Sequence, residues 1–353
     1  SSCFNKTKIG SIELPKSLVE IGHENFPKCL KYITIPAGLN QFPLDNLQEC
    51  RELISISVDD GNISYKIIDG VLYNYDVTEV LLCPRTKSGQ IVVPSTVKHV
   101  AEKCFQYCDK ITSIVLPFGL ETIGDEAFSD MKLERLIMPN SVTEVGEYCF
   151  SCTSISKVFT LSRRVTKLPN GCFYKANIPS TDFLKHIEEI GEYCFYESES
   201  LPLYLRLPKI VTIGESAFNC STSSKYIELP STLSFIGNCA FESTAEDLKV
   251  IFLSIVPPRL SDRAFSGIGG NCKLYVPIGT KVVYEHVSPW STFMNIEVFQ
   301  PDRDFEKKSS PVSDDIQYFR LKSIVDSFNR INHCDLKEVL HDISLSYSSV
   351  DND

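Results

Sequence analysis

Residues 144–150 read EVGEYCF and residues 189–195 read EIGEYCF, and the same seven letters return in variant form as TIGDEAF (122–128), TIGESAF (212–218) and FIGNCAF (235–241). An active site needs its reacting groups once, whereas stacked structural units need the same packing residues at every level. The closing phenylalanines are Phe26, Phe105, Phe128, Phe150, Phe173, Phe195, Phe218, Phe241 and Phe265, and from Phe105 onward they are 23, 22, 23, 22, 23, 23 and 24 residues apart. Leu47 takes the place of Phe in a unit 21 residues after Phe26.

Twelve to fourteen residues before each anchor lies a short apolar segment: IELP at 12, ITIP at 33, IVVP at 91, IVLP at 114, LIMP at 136 and IELP at 227, with a last one, LYVP, at 274. Alternation within these triplets has strand period, two side chains inward and the middle one outward. The following Pro cannot donate to a ladder, so pairing should stop there. A unit of about 23 residues cannot bury its own apolar face, and stacking buries it: successive strands form a parallel sheet about 4.8 Å apart, joined by right-handed crossovers. In the return half the Val or Leu, the Ile, the small residue and the Phe point inward. Gly after Ile (Gly22, Gly124, Gly146, Gly191, Gly214, Gly237) marks positive φ or close backbone approach. Pro is replaced at Ser162, Leu184 and Ser254, and NIPSTDFLKHIEE is a poor strand, so bending or fraying is expected near 178–187.

The pattern I-x-L-P-x-S-[VL]-x-x-I-G-x-x-[AC]-F resembles the BspA-like leucine-rich repeat family of surface proteins from anaerobic bacteria and protozoa, over residues 9 to about 299. IIDGVLYN at 67–74 is similar to the family's D-G-V-L-Y insertion, and LYVPIGTKVVYEHVSPWSTFMNIEVF to its closing cap. Independently, Asp69-Gly70 between apolar runs is a type I′ hairpin signal. The expected fold is therefore a leucine-rich-repeat solenoid, a right-handed superhelix of β/α type with short parallel strands. It has about 11–12 repeats over 1–299, a hairpin insertion near 58–90 and a cap at 273–299. A polar, Pro-containing linker (300–313), a helical tail (314–347) and a disordered end (348–353) complete the chain. Ile316, Phe319, Ile324, Phe328 and Ile331, then Leu336, Val339, Leu340 and Ile343, fall near helical spacing and are expected to cap or dock on the last repeat.

A net charge of -10 disfavours a phosphate backbone as partner. The longest apolar run, VIFLSIV, is too short to cross a bilayer. No secretory start is visible in SSCFNK. Of fourteen cysteines, Cys104, Cys149, Cys172 and Cys194 fall directly before the anchor where other units have Ala, Cys29, Cys50 and Cys108 three residues after it, and Cys152 and Cys220 two after it. They read as small buried hydrophobes, and paired C-x2-C zinc spacing is absent. Equivalent positions about 5 Å apart permit a disulfide between Cys149 and Cys172 or between Cys172 and Cys194. A position that Ala fills elsewhere needs no bond, and reduced thiols are expected. Three glycosylation sequons lie at Asn5, Asn62 and Asn219. GIGGNC at 267–272 lacks a phosphate-loop lysine and reads as a turn, and no catalytic constellation, metal site or cofactor site is found.

A solenoid presents an extended face of evenly spaced side chains. Its outward column is expected to run through Glu13, Thr34, Val92, Val115, Ile137, Thr160, Asp182, Arg206, Glu228, Phe252 and Tyr275, with Arg135, Tyr226 and Lys273 flanking it. Val92, Val115 and Ile137 form an apolar run and Phe252 with Tyr275 an aromatic one, the features that mark binding surfaces. The alternative is that valines are simply good strand formers. The resemblance implies a non-catalytic module for adhesion to a host, matrix or cell-surface protein, secreted or at the cell surface. An intracellular scaffold in the cytoplasm is the alternative.

Overall fold

In the computed structural model the described residues are 4, 6–23, 25–244, 247–268, 272–293 and 295–299, side chains of 292 and 299 excepted. The linker and helical tail expected after residue 299 lie outside them. The apolar triplets do become strands, stacked in parallel and in register. Ser11–Glu13, Tyr32–Ile35 and Ser55–Val58 form the first sheet. Gly89–Val92, Ile111–Val115, Lys132–Ile137 and Ser154–Thr160 form a four-stranded sheet further along the same front column. Tyr204–Arg206, Tyr226–Leu229, Lys249–Phe252, Lys273–Pro277 and Ile296–Phe299 form a five-stranded one.

The return arms make a second column. From His99–Val100 to Arg259–Leu260 each contributes a two-residue strand, such as Thr122–Ile123 and Glu144–Val145, paired in parallel with its neighbours, and a turn that carries the Phe. From Phe105 to Phe265 the rings form one stack, with successive centroids 5.0 to 5.7 Å apart and ring planes within 13° of parallel. Phe26 and Leu47 are buried in a smaller N-terminal cluster that meets the long core near residues 71–82.

The hairpin forms as the Asp69-Gly70 pair requires: Tyr65–Ile68 pairs antiparallel with Val71–Asn74, and both turn residues have positive φ, 49° and 72°. Its second strand also pairs with Glu79–Leu82, which starts the second column after the insertion.

Of the two roles expected for the Gly after Ile, close approach is the one observed. An added Cβ at Gly124 would lie 2.6 Å from the Glu102 backbone N, and at Gly214 2.7 Å from that of Glu192, so at these rungs Gly lets adjacent return arms touch. Positive φ falls instead on two columns flanking the Phe. Two residues before it come Lys103, Glu126, Tyr148, Gly171, Tyr193, Ser216 and Cys239; two after it come Tyr107, Asp130, Cys152, Lys175, Glu197, Cys220 and Ser243. The left-handed turns point alternate N–H groups along the solenoid. Tyr148, Phe150 and Cys152 donate to the carbonyls of Asn170, Cys172 and Tyr174 at 2.9, 2.9 and 2.7 Å, and other rungs repeat the triplet.

The weak unit departs where expected. Residues 182–186 form a 3-10 helix instead of a strand, and the front column is interrupted there. The core continues, because Phe183 and Leu184 are buried and the Phe183 ring stacks on Phe173 at 5.2 Å. Asp182 is thus not an outward strand residue; it sits in this helix, paired with Lys185 at 2.6 Å. Where Pro is replaced by Ser162, the buried hydroxyl donates to the Val142 carbonyl at 2.6 Å and accepts from the Arg164 N–H at 3.2 Å.

Candidate functional site

The four-stranded front sheet holds the apolar run together. Val92 is the Cα partner of Val115. Leu136 pairs with Ile114 and Ile137 with Thr160, which places Ile137 beside Val115 and Thr160 beyond it. All three apolar side chains stand outward, 64, 45 and 48 % exposed, while their strand neighbours Ile91, Ile114 and Leu136 are buried. Phe118 extends the strip at the turn after Val115 and is 95 % exposed. Sequence reasoning passed over Phe118 because it sits in a Pro-Phe-Gly turn outside the strand alternation; its signal is a large aromatic where the equivalent turn positions hold Ser95, Asn140 and Arg163. Arg135 lies two residues before Ile137, in the adjacent column opposite Ser113 and Val158, and is exposed.

The second half of the expected face is of another character. Arg206, Glu228, Ile251 and Tyr275 are successive Cα partners, and so are Tyr204, Tyr226, Lys249 and Lys273. Glu228 is only 4 % exposed and takes hydrogen bonds from Arg206 Nε at 2.6 Å and from the Tyr204 hydroxyl. The Lys249 ammonium donates to the Tyr226 hydroxyl at 3.2 Å and lies 4.8 Å from its ring centroid, and Lys273 is paired with Glu297 at 2.6 Å. Arg206, Tyr226 and Lys273 therefore spend polar capacity on their own neighbours.

Phe252 is a correction. It points inward, 1 % exposed, edge-on to Trp290 at 4.9 Å and 6.2 Å from Tyr284. The register place beside Tyr275 belongs to Ile251, which is itself buried at 6 % exposure. Four apolar letters in a row, VIFL, carry no alternation, and the step from Phe241 to Phe265 is one residue longer than its neighbours, so counting back from the later anchor misplaces the strand by one and exchanges its faces. The aromatic run expected at Phe252 and Tyr275 does not exist as a surface pair.

A different aromatic group lies on the return arms. Tyr174 stacks on Tyr196 at 5.2 Å and 8°, Tyr148 meets Tyr174 edge-on at 6.3 Å, and Tyr193 lies 6.0 Å from Tyr196. The Tyr148 ring occupies the space above Gly171, where an added Cβ would be 2.1 Å from it. The repeated EYCF and the two CFY triplets were the available signal.

The twelve described cysteines are free thiols, nine of them buried. Burial pushes Cys50 up to about 12 and raises Cys104, Cys149, Cys172 and Cys194 as well. Among the described residues no cluster of three or more His, Cys, Asp or Glu is arranged to hold a metal ion. The Asn62 sequon is buried, its amide donating to the Pro36 and Leu39 carbonyls at 2.9 and 3.2 Å; the Asn219 amide donates to Glu242 at 3.1 Å. No described helix is long and apolar enough to cross a membrane.

The chain matches the profile of a family described as BspA type Leucine rich repeat region, in six copies over residues 1–86, 82–202 and 202–286. It is similar to a crystallised leucine-rich repeat protein from Eubacterium ventriosum, with 19 % identity over 73 % of this chain and a TM-score of 0.42; this chain spans 64 % of that protein's length. A leucine-rich repeat protein from Bacteroides ovatus is 19 % identical, with 84 % of this chain and 85 % of that one covered and a TM-score of 0.43. A leucine rich cell surface protein from Faecalibacterium prausnitzii is 16 % identical, with 86 and 92 % covered and a TM-score of 0.41. No curated protein matches the chain.

Proposed function

Because the chain belongs to the BspA-type leucine-rich repeat family, we propose that it is a non-catalytic protein-binding module that works at a cell surface and adheres to a host, matrix or other cell-surface protein through its front strands. The observation that carries this reading is the in-register strip Val92, Val115 and Ile137 with Phe118 at its edge, contiguous and solvent-facing. Contiguous apolar surface on a folded protein usually has a partner. Arg135 supplies a cation beside it. Arg206, the buried Ile251 and Tyr275 belong to the more polar end of the same column, with Tyr226 and Lys273 flanking it.

The variant Val115→Thr, Ile137→Thr, Phe118→Ser keeps β-branching in the strands while removing apolar surface. Binding to immobilised matrix proteins and to intact host cells should fall at least tenfold with the thermal midpoint unmoved. Unchanged binding by a folded variant rejects the strip as the contact surface. One observation favours the second reading, an intracellular scaffold: the described cysteines are free thiols. Labelling of intact source cells with a membrane-impermeant reagent decides, since a scaffold is not labelled.

A further inference from the structure

The apolar strip has a cationic border. Arg135, Arg163 and Arg164 are exposed, and their side chains make no hydrogen bond or ion pair among the described residues. Of the other described arginines all but Arg51 are engaged: Arg206 and Arg263 in ion pairs, Arg85 with the Gln48 carbonyl and over the Tyr107 ring, Arg259 near the Phe235 ring. Most described ion pairs join a lysine of one rung to an acid of the next, as in Lys157 with Glu134 and Lys98 with Glu121. In a chain of net charge -10, leaving three arginines uncompensated beside exposed Val92, Val115, Ile137 and Phe118 defines a complement. It is a segment with large apolar side chains directly preceded by acids.

The chain carries such a segment itself. Residues 313–328 read SDDIQYFRLKSIVDSF, where Asp314 and Asp315 precede Ile316, Phe319, Ile324 and Phe328 at helical spacing. Reach permits the contact. From the last strand, Ile296–Phe299, to Lys132–Ile137 is seven rungs, roughly 34 Å at about 4.8 Å per rung. The fourteen residues 300–313 extend up to about 46 Å.

We propose that residues 314–328 dock in cis on the Val92–Val115–Ile137–Phe118 strip, with Asp314 and Asp315 against Arg135, Arg163 and Arg164, so that the segment competes with the external partner. This deepens the reading above and rests on the strip being a recognition surface.

The test uses the full chain with Phe118→p-benzoylphenylalanine, irradiated across a range of dilutions, and cross-linked peptides mapped by mass spectrometry. Expected is an intramolecular cross-link to residues 314–328, independent of concentration and lost in Ile316→Ser, Phe319→Ser. That double variant should also bind the matrix probe at least threefold more tightly. A cross-link only between copies, or none, overturns the proposal. So does capture of the same segment by a probe at Val282, which with Ile278 is exposed on the cap beyond the last repeats. If the strip variant loses the matrix probe yet no cross-link forms, cis docking fails and the binding face stands. If the cross-link forms and the strip variant still binds, the binding face fails and docking stands.

Discussion

At the residue scale, cohesion comes from a few positions that must be alike on every rung. Phe128, Phe150 and Phe195 are fully buried between like rings. The flanking left-handed residues cost on the order of 1–3 kcal/mol each in isolation, and their inter-rung hydrogen bonds are what hold them there. Gly171 alone in the first of these columns has no side chain, because the Tyr148 ring fills that space. Gly171→Ala should lower stability by about 1–2 kcal/mol, seen as an earlier urea midpoint. Adding Tyr148→Ala should recover part of that loss; strict additivity of the two changes would show that the ring is not the obstacle. The thiols predict a pH limit. A thiol whose folded pKa is raised holds its proton longer when folded than when unfolded, so its contribution is complete below the unfolded value near 9 and declines above it. For Cys50, raised to about 12, the loss spans roughly pH 9 to 12. Chemical denaturation should show stability falling from pH 8 to pH 10.5, and Cys149→Ala, Cys172→Ala, Cys194→Ala should flatten that fall, since Ala already fills the position at Ala127, Ala217 and Ala240. An unchanged slope would mean that these thiols do not set the limit.

At the scale of elements, the solenoid has one weak level. Residues 178–187 supply no front strand, and what they put in its place is a 3-10 turn anchored by Phe183 and Leu184. Amide exchange should be at least tenfold faster at 181–186 than in Lys132–Ile137 or Tyr226–Leu229; equal protection would show that this rung is as well tied as its neighbours. Where alternation is clean, as in IVVP, IVLP and LIMP, inward and outward faces were legible from the letters. They were illegible at VIFL, where hydrophobicity is uniform and the Trp290–Tyr284 pocket of the cap, distant in sequence, selects Phe252. The hairpin was legible because Asp-Gly is among the few pairs that accept two positive φ angles. The positive φ columns were not, since Lys103, Glu126 or Ser216 carry no mark of a conformation imposed by the neighbouring rungs.

For the whole molecule, repetition made the architecture readable: one ring recurring every 22 to 24 residues gives a column. The candidate site was readable only in part. Val92, Val115, Ile137 and Arg135 stand together as their phases required, while Phe118 lies in a turn that strand periodicity does not reach, and the return-arm tyrosines belong to positions read only as packing. Stacked units contact only their neighbours, so stability should be a sum of local terms and nearest-neighbour couplings. The most direct measurement is a pair of double-mutant cycles in the full chain: Phe195→Leu with Phe218→Leu, whose rings are 5.4 Å apart, against Phe105→Leu with Phe218→Leu, five rungs apart. Columnar packing predicts a coupling of about 0.5 kcal/mol or more for the adjacent pair and additivity within about 0.3–0.5 kcal/mol for the distant pair. Equal coupling in both cycles would place the phenylalanines in a single common centre and contradict the column.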